Sequence, residues 1–240
     1  MTVENMHYDF KQKLNKIDSQ KYRNLLIPEI DWKLNEAQEI FIKTIAQPRL
    51  RNLLGFESNQ RTISDIRKIV VNQDLTNTCI TPIQIDSKTY LSPIPSDYWF
   101  YADSYVTINK APCGEKQAYV FERQHGDLHE KSNFDESSYE WEEINARYNE
   151  DGIRLFTDGT FTITKHCLNY IRRPLYIHYA NGTSAGQYRL PDNTLLVGKQ
   201  DCELSEHTHR EIVDLAVMIT TGDLQIPDYN VKVAKTKLNN

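Results

Sequence analysis

Few groups of residues in this chain have the types and spacing that chemistry requires. Gly182-Thr183-Ser184-Ala185-Gly186 has the spacing of a nucleophile elbow. That motif works only where a strand leads into the serine and a helix follows it, because the sharp turn between them presents the hydroxyl. Residues 175–179 read as a strand, but Gln187-Tyr188-Arg189-Leu190-Pro191 is extended and ends at a proline. Alternating strand–helix units are missing too, so two glycines beside small residues read by default as a flexible loop. His125 and His129 are four apart, which suits zinc when a helix puts both rings on one face. Gly126 and Asp127 lie between them and favour a loop. His207 and His209 are two apart, about 200° around a helix, and cannot both face one ion. A polar, solvated helix start is expected there. Asp135, Glu136, Glu140, Glu142, Glu143, Glu150 and Asp151 crowd one stretch with Tyr139 and Trp141. Paired carboxylates cleave glycosides only at a set separation, and a run of acids is ordinarily a solvated or partner-facing surface. No catalytic, cofactor-binding or metal-binding residue is assigned.

Composition narrows the class further. A chain of 240 residues holds one large domain or two small ones and has a core without needing metal or disulfide staples. Hydrophobic residues at 39% and charged residues at 25% are globular values that argue against disorder. Glycine is scarce, with 9 residues, which disfavours a glycine-rich phosphate cradle. A net charge of -5 counts against a dedicated nucleic-acid binder, which ordinarily carries a basic excess. The longest apolar runs, at 98–102 and 215–219, are five residues, far below the roughly 20 of a membrane span. The polar, acidic start does not read as an export signal. Cys79, Cys113, Cys167 and Cys202 are widely spaced and read as free thiols.

The elements that would carry these residues follow from periodicity. Residues 14–26 form a weak helical stretch. Pro28 suits the first turn of a stronger helix, and Ile30, Leu34, Ala37, Phe41 and Ile45 mark its apolar face. Glu29 and Asp31 suit the positive end of its dipole, and Pro48 stops it. A further helix is expected over 58–70, with Ile63, Ile66, Ile69 and Val70 on one side. From 80 to 179 the chain turns rich in strand formers. Ile83 and Ile85 face Thr89 and Leu91 across a tight Asp86-Ser87 turn, and 98–108 and 117–123 are strands. Residues 153–164 read as a hairpin about Asp158-Gly159, pairing Thr157 with Thr160 and Phe156 with Phe161. Residues 168–179 form a strand that Pro174 confines to an edge or a bulge. Ser205 caps a last helix with Ile212, Leu215, Ala216 and Ile219 buried, and Gly222 ends it. The fold class is α+β, with terminal helices in a bundle and an inserted antiparallel β barrel or sandwich. Residues 1–75 are the helical part, 76–200 the β-rich insertion, 201–222 the C-terminal helix and 223–240 an extended arm. The arm carries Leu224, Ile226, Tyr229, Val231 and Val233 as candidate interface residues, with Lys232, Lys235 and Lys237 among and after them.

Several segments together resemble one family. Pro28-Glu29-Ile30-Asp31, Leu34-Asn35-Glu36-Ala37-Gln38, and Phe56-Glu57-Ser58-Asn59-Gln60-Arg61 with Asp65-Ile66-Arg67 are similar to its helical opening. Leu91-Ser92-Pro93-Ile94-Pro95-Ser96-Asp97-Tyr98 resembles its "LPxDY" run, and Tyr170-Ile171-Arg172-Arg173-Pro174 its "YIRKP" strand. Residues 202–216 resemble its closing helix, with Ser205 where the family often has proline. The family is the head-to-tail connector, or neck ring, proteins of short-tailed phages, nearest to those of crAss-like phages of gut Bacteroidetes. The resemblance implies a non-enzymatic virion protein, made in the bacterial host cytoplasm. It would form a homo-oligomeric, twelve-fold ring that meets the portal protein and other neck or tail proteins. DNA would pass its lumen without sequence-specific binding, and neither membrane nor cofactor would be involved. The rivals are a hydrolase using the carboxylate or histidine clusters, and a tail or cargo protein outside the neck.

Overall fold

The computed structural model describes residues 1–15, 25–46, 64–73, 79–122, 136–180 and 187–223. They belong to two units, one of Met1–Ile69 with Pro174–Asn240 and one of Val70–Arg173. The class is α+β, with helices towards both ends of the chain.

The β unit contains β1 (Val70–Asn72), β2 (Ile83–Gln84), β3 (Thr89–Ser92), β4 (Tyr98–Lys110), β5 (Gly114–Glu122), β6 (Glu143–Asn149), β7 (Gly152–Phe156) and β8 (Thr162–Arg172). They form one eight-stranded sheet in the order β1-β8-β4-β5-β6-β7-β3-β2. Neighbours are antiparallel except β5 and β6, which run parallel. Alternate residues face inward, so Val106, Ile108, Ala118, Ile144, Leu155 and Leu168 share one buried cluster.

The sheet is a curled half-barrel. β3 and β8 stand five places apart in its order, which in a flat sheet would be about 24 Å. Yet His166 Nδ1 on β8 is 2.7 Å from Ser92 Oγ on β3, and both residues are buried. The backbone makes the same crossing. Ile80 exchanges two hydrogen bonds with His166, at 2.9 and 2.8 Å, and Ile83 then pairs with Leu91 of β3. Between them Pro82, lacking an N–H, breaks the ladder.

Several expectations are corrected here. Cys79 and Cys167 are not free thiols; they form a disulfide with Cα atoms 4.4 Å apart. The doubly bonded Ile80–His166 pair makes its neighbours, Cys79 and Cys167, a close non-bonded pair, the position where side chains approach best. Cys113 and Cys202 remain free. The hairpin about Asp158-Gly159 does not form. Gly159 has the positive φ of 86° expected there, but β7 pairs with β6 and β3, and β8 with β1 and β4. Both edges of each strand are already occupied, so residues 157–161 only connect them. The two-residue hairpin lies instead at Glu150-Asp151, between Asn149 and Gly152. The Ile83–Leu91 pairing forms as expected, with Ile85 N bonding Thr89 O around a loop one residue longer. β8 is not an edge strand, since β1 flanks it; the irregularities lie on its ladder with β4. Arg173 N makes a last bond to Asp97 O, and Pro174 follows it, where a missing N–H costs nothing. Val70 opens β1 instead of closing a helix, and residues 58–63 lie outside the described set.

The other unit contains α1 (Val3–Asn15), α2 (Ile27–Ala46), β9 (His178–Tyr179), β10 (Tyr188–Arg189), β11 (Leu195–Leu196), β12 (Lys199–Gln200) and α3 (His209–Asp223). β9 pairs with β12 and β10 with β11. α1 begins well before the weak helical stretch expected at 14–26, and buries Val3, Met6, Phe10 and Leu14 at helical spacing. α2 buries Ile30, Leu34, Ala37, Phe41 and Ile45 as the periodicity predicts. α3 packs against both α1 and α2, and its buried stripe is turned by one residue, to Ile212, Val213, Ala216, Val217 and Thr220. Thr220 and Thr221 satisfy their buried hydroxyls on the carbonyls of Ala216 and Val217. Lys13 bridges Asp214 at 2.9 Å and Lys33 bridges Asp223 at 2.5 Å. Ser205 precedes a 3-10 turn, Glu206–Thr208, but makes no side-chain cap; its hydroxyl donates to Ser64 O instead. Gly222 lies inside α3, without a positive φ.

Two measurements test this account. The Cys79–Cys167 link closes 88 residues of sequence, so Cys79→Ser is expected to lower unfolding free energy by roughly 4 kcal/mol in the loop-entropy view. An unchanged urea midpoint would show that the link adds nothing. Burial pushes the His166 imidazole down to about 4, against about 6.5 in an unfolded chain. Its contribution is therefore intact above about pH 6.5 and declines as pH falls towards 4, because only the unfolded chain takes up the proton. The loss reaches roughly 3 kcal/mol. His166→Gln should flatten that part of the stability–pH curve, and a curve parallel to wild type would refute the assignment.

Candidate functional site

Among the described residues, the groups singled out for chemistry do not converge. Ser184 with its flanking glycines, His125, His129 and Asp135 lie outside the described residues. So do the arm residues Leu224, Ile226, Tyr229, Val231 and Val233. His207 and His209 face different partners. His207 Nε2 is 2.6 Å from the buried Asp65 carboxylate. His209 is buried rather than solvated, because the start of α1 and the preceding loop enclose it. Its Nδ1 is 3.1 Å from Met1 O and its Nε2 3.0 Å from Leu204 O. Burial lowers its pKa, against the opposing pull of the Leu204 and Met1 carbonyls. Among the described residues no cluster of histidine, cysteine and carboxylate could hold a metal ion.

The acidic stretch is spread along the sheet. Glu142 and Glu150 bracket β6, about 25 Å of extended chain, far beyond the separation that glycoside cleavage uses. Glu142 pairs with Lys116 at 3.5 Å and Glu136 with Lys88 at 3.7 Å. A cavity of about 130 Å³ beside Lys88 and Asn145 is lined by one carboxylate, that of Glu136. Tyr139 belongs to the core, its hydroxyl donating to Gly114 O at 2.9 Å. Trp141 is 80% exposed. It neighbours Glu142, whose carbonyl accepts from Tyr119 N at 2.8 Å. On β5, Tyr119 and Phe121 alternate with Ala118 and Val120 and are likewise exposed. The sequence carries this as an aromatic alternation, readable once the register of β5 is known.

The strongest polar constellation is one that sequence reading missed. Asp31 sits on the first turns of α2, but it is buried and does not serve the helix dipole from solvent. Its carboxylate accepts from His7 Nε2 at 2.6 Å, Tyr179 N at 3.1 Å and Tyr188 OH at 2.5 Å. Burial first, then the Asp31 carboxylate, raises the Tyr188 hydroxyl well above its usual range, keeping it a donor. One turn on, Asn35 donates to Ile177 O and accepts from Ile177 N, at 2.7 and 2.8 Å. Gln38 donates to Leu175 O at 3.4 Å and accepts from Cys202 Sγ at 3.3 Å. Positions 31, 35 and 38 share one helix face. They offer the extended segment 175–179 the donors and acceptors that a neighbouring strand would. Every Asp31 partner is internal to the unit, so the cluster ties chain together and exposes no reactive group.

The chain belongs to the phage tail ring protein 3/4 family, whose model matches residues 1–225. It is 27% identical over 234 residues to Ring protein 4/5 of Bacteroides phage crAss001, covering 94% of this chain and 96% of that protein. The protein is a structural ring protein of the crAss-like phage type.

Removing the Asp31 carboxylate leaves His7, Tyr179 and Tyr188 without their acceptor. Asp31→Ala should cost about 3 kcal/mol or more, as breaking a buried charged network does. A loss under about 1 kcal/mol in urea unfolding would mean that the cluster is not a tie.

Proposed function

We propose that this chain acts without catalysis as a homo-oligomeric, twelve-fold ring in the neck of the virion. The ring joins the portal vertex to the tail, meets the portal protein and other neck or tail proteins, and surrounds the channel through which DNA passes. The carrying observation is a ring-protein family match running through residues 1–225. The net charge of -5 supports a lumen to which DNA does not adhere, since attraction to phosphates needs cations. Membership of a tail ring family favours the tail side of that junction, and a ring wholly within the tail is the second reading. The segment from 224 is an arm that engages a neighbour through Leu224, Ile226, Tyr229, Val231 and Val233. Asp223, counted with the arm by sequence, closes α3 and pairs with Lys33.

Electron microscopy of the purified chain should reveal closed rings, and gold-labelled antibody on particles should mark the head–tail junction. Label confined to the distal tail would support the second reading. Ending the chain at Asp223 should leave the melting temperature within about 1 °C, because the truncation spares both ends of the Lys33 bridge. Ring formation should nevertheless be lost. Normal rings from the shortened chain would remove the arm from the account.

A further inference from the structure

Large aromatic groups stand in water on β5 and in the turn that leads into β6. Tyr119 is 70% exposed, Phe121 44% and Trp141 80%. Tyr119 lies directly beside Glu143 in the register, and its amide bonds the carbonyl that follows Trp141. Aromatic side chains of this kind are the usual anchors of protein interfaces. Glu115, Glu140 and Glu143 are all exposed here, and the exposed Arg147 lies four residues further along β6 than Glu143. The lysine of β5, Lys116, is already paired with Glu142. The face therefore suits a partner that is apolar along one side and basic along the other.

The chain itself contains such a segment. Residues 224–240 carry Lys232, Lys235 and Lys237 against Asp228, a net charge of +2 (three lysines less one aspartate). Tyr229, Val231 and Val233 alternate with polar residues, so in extended form they share one side. A closed ring needs two different surfaces on each copy, one fitting the other on the next.

We infer that Tyr119, Phe121 and Trp141, rimmed by Glu115, Glu140 and Glu143, form the seat for residues 224–240 of a second copy of this chain. The inference rests on the ring reading above. Apolar side chains of the segment cover the aromatic groups, and its lysines meet the rim carboxylates.

The test uses the full chain with a photo-crosslinking amino acid at position 229, in assemblies mixed from nitrogen-14 and nitrogen-15 labelled copies. Crosslinks should join position 229 to peptides holding 119–121 or 141, with mixed isotope labels marking a link between copies. Tyr119→Ala with Trp141→Ala should lower both crosslink yield and ring fraction at least ten-fold. The melting temperature should hold, since both side chains are exposed. Glu140→Lys with Glu143→Lys should weaken assembly similarly, and Lys232→Glu with Lys235→Glu on the same chain should restore it. Rings that form normally in the aromatic double variant, or crosslinks that land elsewhere or within one copy, overturn the docking and leave the ring reading standing. A wild-type chain that stays monomeric removes the ring reading and the docking with it.

Discussion

Consecutive residues of β8 hold the curl of the sheet. His166 reaches across the interior to Ser92 of β3, and Cys167 is bonded to Cys79 on the neighbouring segment. Successive strand residues face opposite sides, so one short stretch secures both the inside and the outside of the curve. The His166 interaction is also a constraint on protonation. Its Nε2 has no partner in the buried interior. A bare lone pair there costs less than an orphan N–H, which favours the neutral ring with its proton on Nδ1, donated to Ser92. The apolar cluster lines the concave side around this bond, and the outward residues of β5 and β6 are displayed on the convex side.

The helical unit solves a different problem. After Arg173 the chain runs extended through 175–179, with no long strand beside it to take its backbone groups. α2 supplies them from side chains, through Asp31, Asn35 and Gln38. A helix face of this kind is unusual because buried polar groups are costly unless fully bonded. Here Asn35 bonds both groups of Ile177, and Asp31 takes three donors. Asp31, Asn35 and Gln38, which hold this segment, are among the α2 residues that carry the family resemblance.

The two units share a functional consequence. Polar groups are turned inward, at Asp31 and His209 with their atoms taken up by internal bonds and at His166 with one nitrogen bonded to Ser92. What the β unit offers to solvent is shape, aromatic surface and charge. Those are the means of assembly, and they agree with membership of a ring-protein family.

Much of the local structure was legible in the residues. The 3.6-residue period of α2, the strand composition from 98 to 122, and the opposition of Ile83 to Leu91 all follow from short-range pattern. Glu115, Glu140, Glu143 and the basic C-terminal segment are plain in the sequence, as is the alternation of Tyr119 and Phe121. Pairing was not legible. Asp158-Gly159 has turn chemistry, and Gly159 adopts the positive φ such chemistry allows, yet β7 and β8 go to other partners. A turn signal is a property of a few adjacent residues. Which strand edges remain free depends on every other strand in the sheet. The same reason covers the rest. Cys79 meets Cys167 only because Ile80 is paired with His166. The stripe of α3 turns by one residue because α1 and α2 both claim its surface, and Asp31 is buried only because His7 of α1, Tyr179 and Tyr188 close over it. Each is set by contacts between residues far apart in the chain, which local spacing cannot encode.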